Sequence, residues 1–62
     1  MATIDLADRN IKDFLSIQKY MLLAKEENAE RTYQGLKDEY DYLKASLIAL
    51  GINLTELDKI KE

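Results

Sequence analysis

From Ala29 onward, apolar and aromatic residues recur at alternating steps of four and three: Ala29, Tyr33, Leu36, Tyr40, Leu43, Leu47, Leu50, Leu54 and Leu57. This is the heptad pattern by which a helix buries one stripe against another helix. A helix cannot cover its own stripe, so the missing surface must come from another part of the chain or from another copy of it. With 62 residues there is one domain at most, 1–62, at a size where a single core is marginal against backbone entropy of roughly 1 to 2 kcal/mol per residue. Small domains escape that limit through disulfides, metals or self-association. The chain has no Cys and no His, so the stripe predicts an oligomerising helical domain without cofactor or metal.

Upstream, Thr3 is placed to cap a helix that begins near Ile4, with Asp5 and Asp8 at its positive end. At about 100° per residue, Ile4, Ala7, Ile11, Phe14, Leu15, Met21 and Leu22 share one face, and Gln18 is the one polar residue on that line. The segment Ala24 to Arg31 decides how the two halves connect. Leu15, Leu22, Ala29, Leu36, Leu43, Leu50 and Leu57 lie at unbroken intervals of seven, and the segment contains neither Gly nor Pro. Unbroken phase and local propensity predict one long amphipathic helix over about 4–50. Acid–base pairs at i,i+4, Asp5 with Arg9, Asp8 with Lys12 and Glu27 with Arg31, add to it. The alternative is an antiparallel helical hairpin with its turn near 25–31, where the apolar density falls, Lys25 interrupts the stripe and Asn28 is the turn-forming residue. Gly35 within the seam marks a close approach of helices or a bend. Gly51, followed by apolar Ile52, fits the left-handed position that ends a helix, and Asn53 with Glu56 forms the capping box of a short second helix over about 54–61.

Apolar residues make up 47% of the chain and charged residues 34%, a balance that suits an all-α fold rather than a disordered chain. The net charge of −3 argues against non-specific attraction to nucleic acid or anionic lipid. No apolar run reaches the roughly 18 residues of a membrane span. Met1 to Leu15 lacks the basic start and apolar centre of a signal peptide, so a cytoplasmic location is expected.

Three carboxylate groupings, Glu26, Glu27 and Glu30, then Asp38, Glu39 and Asp41, then Asp58 and Glu62, read as solvated faces rather than catalytic or metal sites. No phosphate loop or nucleophile motif is present, so no enzymatic activity is expected. Off the seam, Leu23, Tyr42 and Ile48 widen the apolar surface beyond what a two-stranded coiled coil uses, which predicts a helical bundle or an exposed patch for a partner. Residues 43–61, in which one helix ends at Leu50-Gly51-Ile52 and a second would carry Leu57 and Ile60, resemble the helix-turn-helix of DNA-binding proteins. That resemblance implies a DNA-binding regulator, although Glu56 and Asp58 accompany Lys59 and Lys61 in the would-be recognition helix, which holds no Arg, Asn or Gln to read bases.

The expected function is therefore a helical protein–protein interaction module, a small acidic adaptor, assembly factor or inhibitor of the kind carried by phages and mobile elements by analogy of size and charge. Its expected partners are itself, as a dimer or larger, and another protein. The expected interface comprises Ile11, Leu15, Leu22, Ala29, Tyr33, Leu36, Tyr40, Leu43, Leu47, Leu50, Leu54 and Leu57.

Overall fold

The computed structural model describes residues 2–61, with side chains from position 6 onward. Helix α1 runs Ala2–Glu26 and helix α2 Glu30–Ala49, packed antiparallel as a hairpin. Residues 27–29 join the helices, residues 50–61 form an irregular segment with turns at 50–51 and 55–57, and there is no strand among the described residues. The molecule measures 40 × 20 × 14 Å.

The continuous helix over 4–50 is thus corrected to the hairpin: the helix is interrupted at 27–29, and each half turns its own inward face to the other. On α1 the inward residues are Ile11, Phe14, Gln18 and Met21; on α2 they are Tyr33, Leu36, Tyr40, Leu43 and Leu47. Both sets step by three and four, but Met21 and Leu36 are fifteen residues apart, two heptads plus one. At about 100° per residue that interval is a rotation of about 60°, within the width of an amphipathic stripe, so phase alone does not separate the two sets. What does is that they pack on each other, the Phe14 and Tyr40 rings meeting at 5.3 Å where one helix would hold them about 39 Å apart. The leucines that kept the sevenfold interval on α1 do not lie in the core: Leu15 is 41% and Leu22 52% exposed.

The turn itself is made by Asn28, whose φ is 58°. Asn28 N–H donates to the Lys25 carbonyl at 3.2 Å and Ala29 N–H to the Ala24 carbonyl at 2.8 Å. These are the two bonds of a Schellman motif, which satisfy carbonyls left open at a helix end. Asn tolerates the left-handed conformation better than other non-Gly residues, so the one turn-forming residue of the segment sits where the backbone requires it. The Glu27–Arg31 pair expected to bridge this region spans the turn and does not form among the described residues. Asp8 and Lys12 do pair, at 3.3 Å. Helix α1 already includes Ala2, so Thr3 lies inside its first turn rather than capping it. The side chains of Ile4 and Asp5, and with them the Asp5–Arg9 pair, lie outside the described residues.

The same motif closes α2. Gly51, at φ +80°, donates its N–H to the Ile48 carbonyl at 3.0 Å, and Ile52 N–H donates to the Leu47 carbonyl at 3.0 Å. The stop expected at Gly51 is therefore in place. The short helix expected over 54–61 is not. Asn53 Oδ1 accepts the Thr55 N–H at 2.9 Å, as a cap does, but a single turn follows, with the Leu57 and Asp58 N–H groups both donating to the Leu54 carbonyl. The next amides, of Lys59 and Ile60, turn to a side chain of α1 instead. Gly35 marks no close approach within the chain, since a Cβ there would meet nothing within 4 Å.

Phe14, Met21, Tyr40, Leu43 and Leu47 form the buried cluster between the helices, with the Phe14 and Tyr40 rings stacked at 5.3 Å and 16°. Ile52, Leu54, Leu57 and Ile60 of the C-terminal segment pack against that cluster, adding a third layer across both helices. The α2 stripe is thereby covered within one chain, and the inference that it needs a second copy no longer follows.

Candidate interaction surface

Two polar side chains fix the C-terminal segment. Gln18, only 2% exposed, donates from Nε2 to the Leu57 carbonyl at 2.8 Å and to the Phe14 carbonyl at 3.3 Å. Its Oε1 accepts the N–H groups of Lys59 and Ile60, the latter at 3.0 Å. An amide side chain has both a donor and an acceptor end, and here both ends serve an irregular backbone that has no helix or sheet to satisfy it. The polar interruption on the α1 face is thus the anchor of the third layer.

Asp58 is the second anchor. Read from sequence as part of a solvated grouping, it is 7% exposed. Its Oδ1 accepts the Tyr40 hydroxyl at 2.6 Å and the Lys61 backbone N–H at 2.8 Å, and its Oδ2 lies 3.0 Å from Lys44 Nζ. Burial pushes the Asp58 carboxyl up, but bonds from Tyr40, from the Lys61 N–H and from Lys44 outweigh it and hold the group below its usual value. The bond to Asp58 raises Lys44 above its usual value against the lowering effect of burial. Lys44 Nζ also sits 5.4 Å from the centre of the Tyr40 ring, within cation–π range. Tyr40 and Lys44 are four residues apart, so one face of α2 supplies both partners. Nothing in the sequence ties them to Asp58, because that link depends on how the irregular segment folds back.

With the segment fixed, the surface left open is defined. Ile17, Tyr20 and Asp13 lie about 100 to 160° round α1 from Gln18, at 100° per residue. They face an open groove shared with Glu39, Tyr42 and Leu43 of α2. On the side the segment covers, Leu15 borders Leu57. Leu6, Leu15, Tyr20, Leu22, Leu23, Tyr42 and Ile48 are all large, apolar and exposed, Tyr42 most of all at 71%.

Of the residues expected at an oligomer interface, Tyr40, Leu43 and Leu47 are buried in the intrachain core, and Ile11, Tyr33, Leu36, Leu54 and Leu57 pack against it half-buried. Ala29 lies in the turn, Leu50 caps α2, and Leu15 and Leu22 remain outward. No group of three or more carboxylates among the described residues could hold a metal ion, and no helix among them is long and apolar enough to cross a membrane. Comparison with models of known families, with curated proteins and with solved structures finds no match.

Proposed function

We propose that the chain is a non-enzymatic helical protein–protein interaction module, with its outward apolar side chains as the contact surface. The observation that carries this reading is the set of large apolar residues left exposed after the core, the turn and the third layer are complete. Single exposed leucines are ordinary, but a chain of this size bearing Leu15, Leu22, Leu23, Tyr20, Tyr42 and Ile48 outward exposes more than its own packing uses. Tyr20 and Tyr42 fit the role, because Tyr offers large contact area and a polar tip at little entropic cost and is enriched at interfaces. The partner is a second copy, as first expected, or a helix of another protein. The helix-turn-helix alternative requires a helix over 54–61, and that stretch holds a single turn.

Sedimentation velocity at micromolar concentration, with photo-crosslinkers placed at Tyr42 and, as a control, at exposed Lys12, tests the proposal. The crosslinker at position 42 is expected to capture a second copy or another protein, and the control to capture neither. A monomer whose crosslinks in its native host are the same from both positions overturns it.

A further inference from the structure

We infer that residues 52–61 form a strap, clasped to the hairpin through Gln18 and Asp58, that opens as a unit about Gly51 when the charge on Asp58 is lost, while α1 and α2 stay helical. The strap has little secondary structure of its own: its backbone bonds to itself are the two that end on the Leu54 carbonyl. Apart from the Ile52 N–H bond to the Leu47 carbonyl beside the hinge, its described polar links to the hairpin run through Gln18 of α1 and through Tyr40 and Lys44 of α2. The connection to α2 passes through Gly51, whose positive φ makes it the natural hinge. The helices keep bonds that do not involve the strap: the Phe14–Tyr40 stack, the Asn10–Ser46 bond at 3.0 Å, and the Schellman turn at Asn28.

The clasp cannot accept a proton and keep its geometry. Oδ1 already receives two donors, the Tyr40 hydroxyl and the Lys61 N–H, and Oδ2 faces the Lys44 ammonium, which can only donate. A proton on Oδ2 sets O–H against N–H, a proton on Oδ1 must reverse the Tyr40 bond or displace the Lys61 N–H, and either removes the charge that Lys44 pairs with. No other charge takes over the role: from α2 the groups facing the carboxylate are Tyr40 and Lys44, from the strap the Lys61 N–H, and α1 contributes uncharged Gln18 on the neighbouring amides. Because the carboxyl is held below its ordinary value, the clasp is fully formed above the ordinary carboxylate range and is lost as pH falls through that lowered value. Opening bares Phe14 and Tyr40, both fully buried when the strap is closed, beside exposed Leu15 and Leu22.

The test is an NMR titration of the full chain, following the Asp58 carboxyl and the backbone order parameters of 54–61, with helix content read by circular dichroism. The expected result is that the strap's order parameters fall from about 0.85 to below about 0.6 as Asp58 titrates, with ellipticity at 222 nm retained. Lys44→Met, which keeps the apolar stem and removes the counter-charge, moves the opening to higher pH. Asp58→Asn opens the strap at neutral pH and abolishes the titration. Loss of strap and helix in one step, a strap that stays ordered as Asp58 titrates, or a closed strap in Asp58→Asn each overturns the inference.

Discussion

Replacing Gln18 by Met keeps the side chain's length and apolar stem and removes every polar contact it makes. Three of those contacts, to the Leu57 carbonyl and to the Lys59 and Ile60 N–H groups, are the segment's backbone bonds to α1. The fourth, to the Phe14 carbonyl, is long at 3.3 Å and bears on a helical carbonyl that has its own partner, so it adds little. At about 0.5 to 1.5 kcal/mol net per bond, three lost bonds amount to roughly 1.5 to 4.5 kcal/mol. Water can reach part of this segment and re-satisfy some groups, while those that stay buried cost more than a net bond; these corrections oppose each other and leave an expectation of about 3 kcal/mol. A chain of 62 residues has a total stability of roughly 3 to 9 kcal/mol, so the change removes a third or more of it. Urea unfolding followed by circular dichroism measures it: with a slope near 1 kcal/mol per molar, the midpoint drops by about 3 M. Gln34→Met, at an exposed position of α2, serves as the control and stays within about 0.5 kcal/mol. A Gln18→Met variant as stable as that control refutes the assignment of Gln18 as the anchor of the third layer.

Tyr40→Phe, which removes the hydroxyl 2.6 Å from Asp58 and keeps the stack on Phe14, is expected to cost about 1.5 to 3 kcal/mol in the same melts and to raise the Asp58 titration measured by NMR. Asn28→Gly is expected to be neutral or better, whereas Asn28→Val, forced to φ 58°, is expected to lose about 1 to 2 kcal/mol; thermal melts distinguish them. Pro at position 28 is expected to fail outright although the site is a turn, because its ring fixes φ near −65°. Leu47→Ala, at a fully buried site, is expected to cost about 2 to 5 kcal/mol, against under about 0.5 kcal/mol for Ile48→Ala next to it at an exposed one.

The α2 stripe was readable residue by residue, because a regular helix turns a three-four spacing directly into a face: Tyr33, Leu36, Tyr40, Leu43 and Leu47 all point inward. The hairpin was legible only as an alternative, because falling apolar density, Lys25 on the stripe and Asn28 pointed to a turn near 25–31 while helix propensity and the interval of seven pointed to one helix. Leucine is common on exposed helix faces, and on α1 the inward positions belong to Phe14 and Met21 while Leu15 and Leu22 face outward, so an unbroken leucine interval of seven does not mark one continuous core face. Ile11, Phe14, Gln18 and Met21 step by three and four just as α2 does, with the polar Gln18 at a core position. Gly51 was legible because left-handed backbone is local chemistry; Asn53 was legible only as a residue that bonds the amide two positions on, since the helix it was expected to cap does not form. The Asp58 clasp was not legible, because its partners on α2 are reached through the path of an irregular segment, which no periodicity records. The exposed Tyr42 and Ile48 were anticipated as surface in excess of a coiled-coil seam, and they remain outward.

The chain reverses at residues 27–29, and the sharpest test of that reversal is a distance between the two helices well away from the turn. Asn10 and Ser46 are 36 residues apart in sequence, and their side chains touch at 3.0 Å. In an unbroken helix the same positions lie on the order of 54 Å apart, at 1.5 Å per residue. Spin labels at 10 and 46, diluted with unlabelled protein so that only one chain is read, are expected to report a separation under about 20 Å, the 8 to 10 Å between packed helices plus the label arms. A distance near 54 Å would contradict the hairpin and everything built on it.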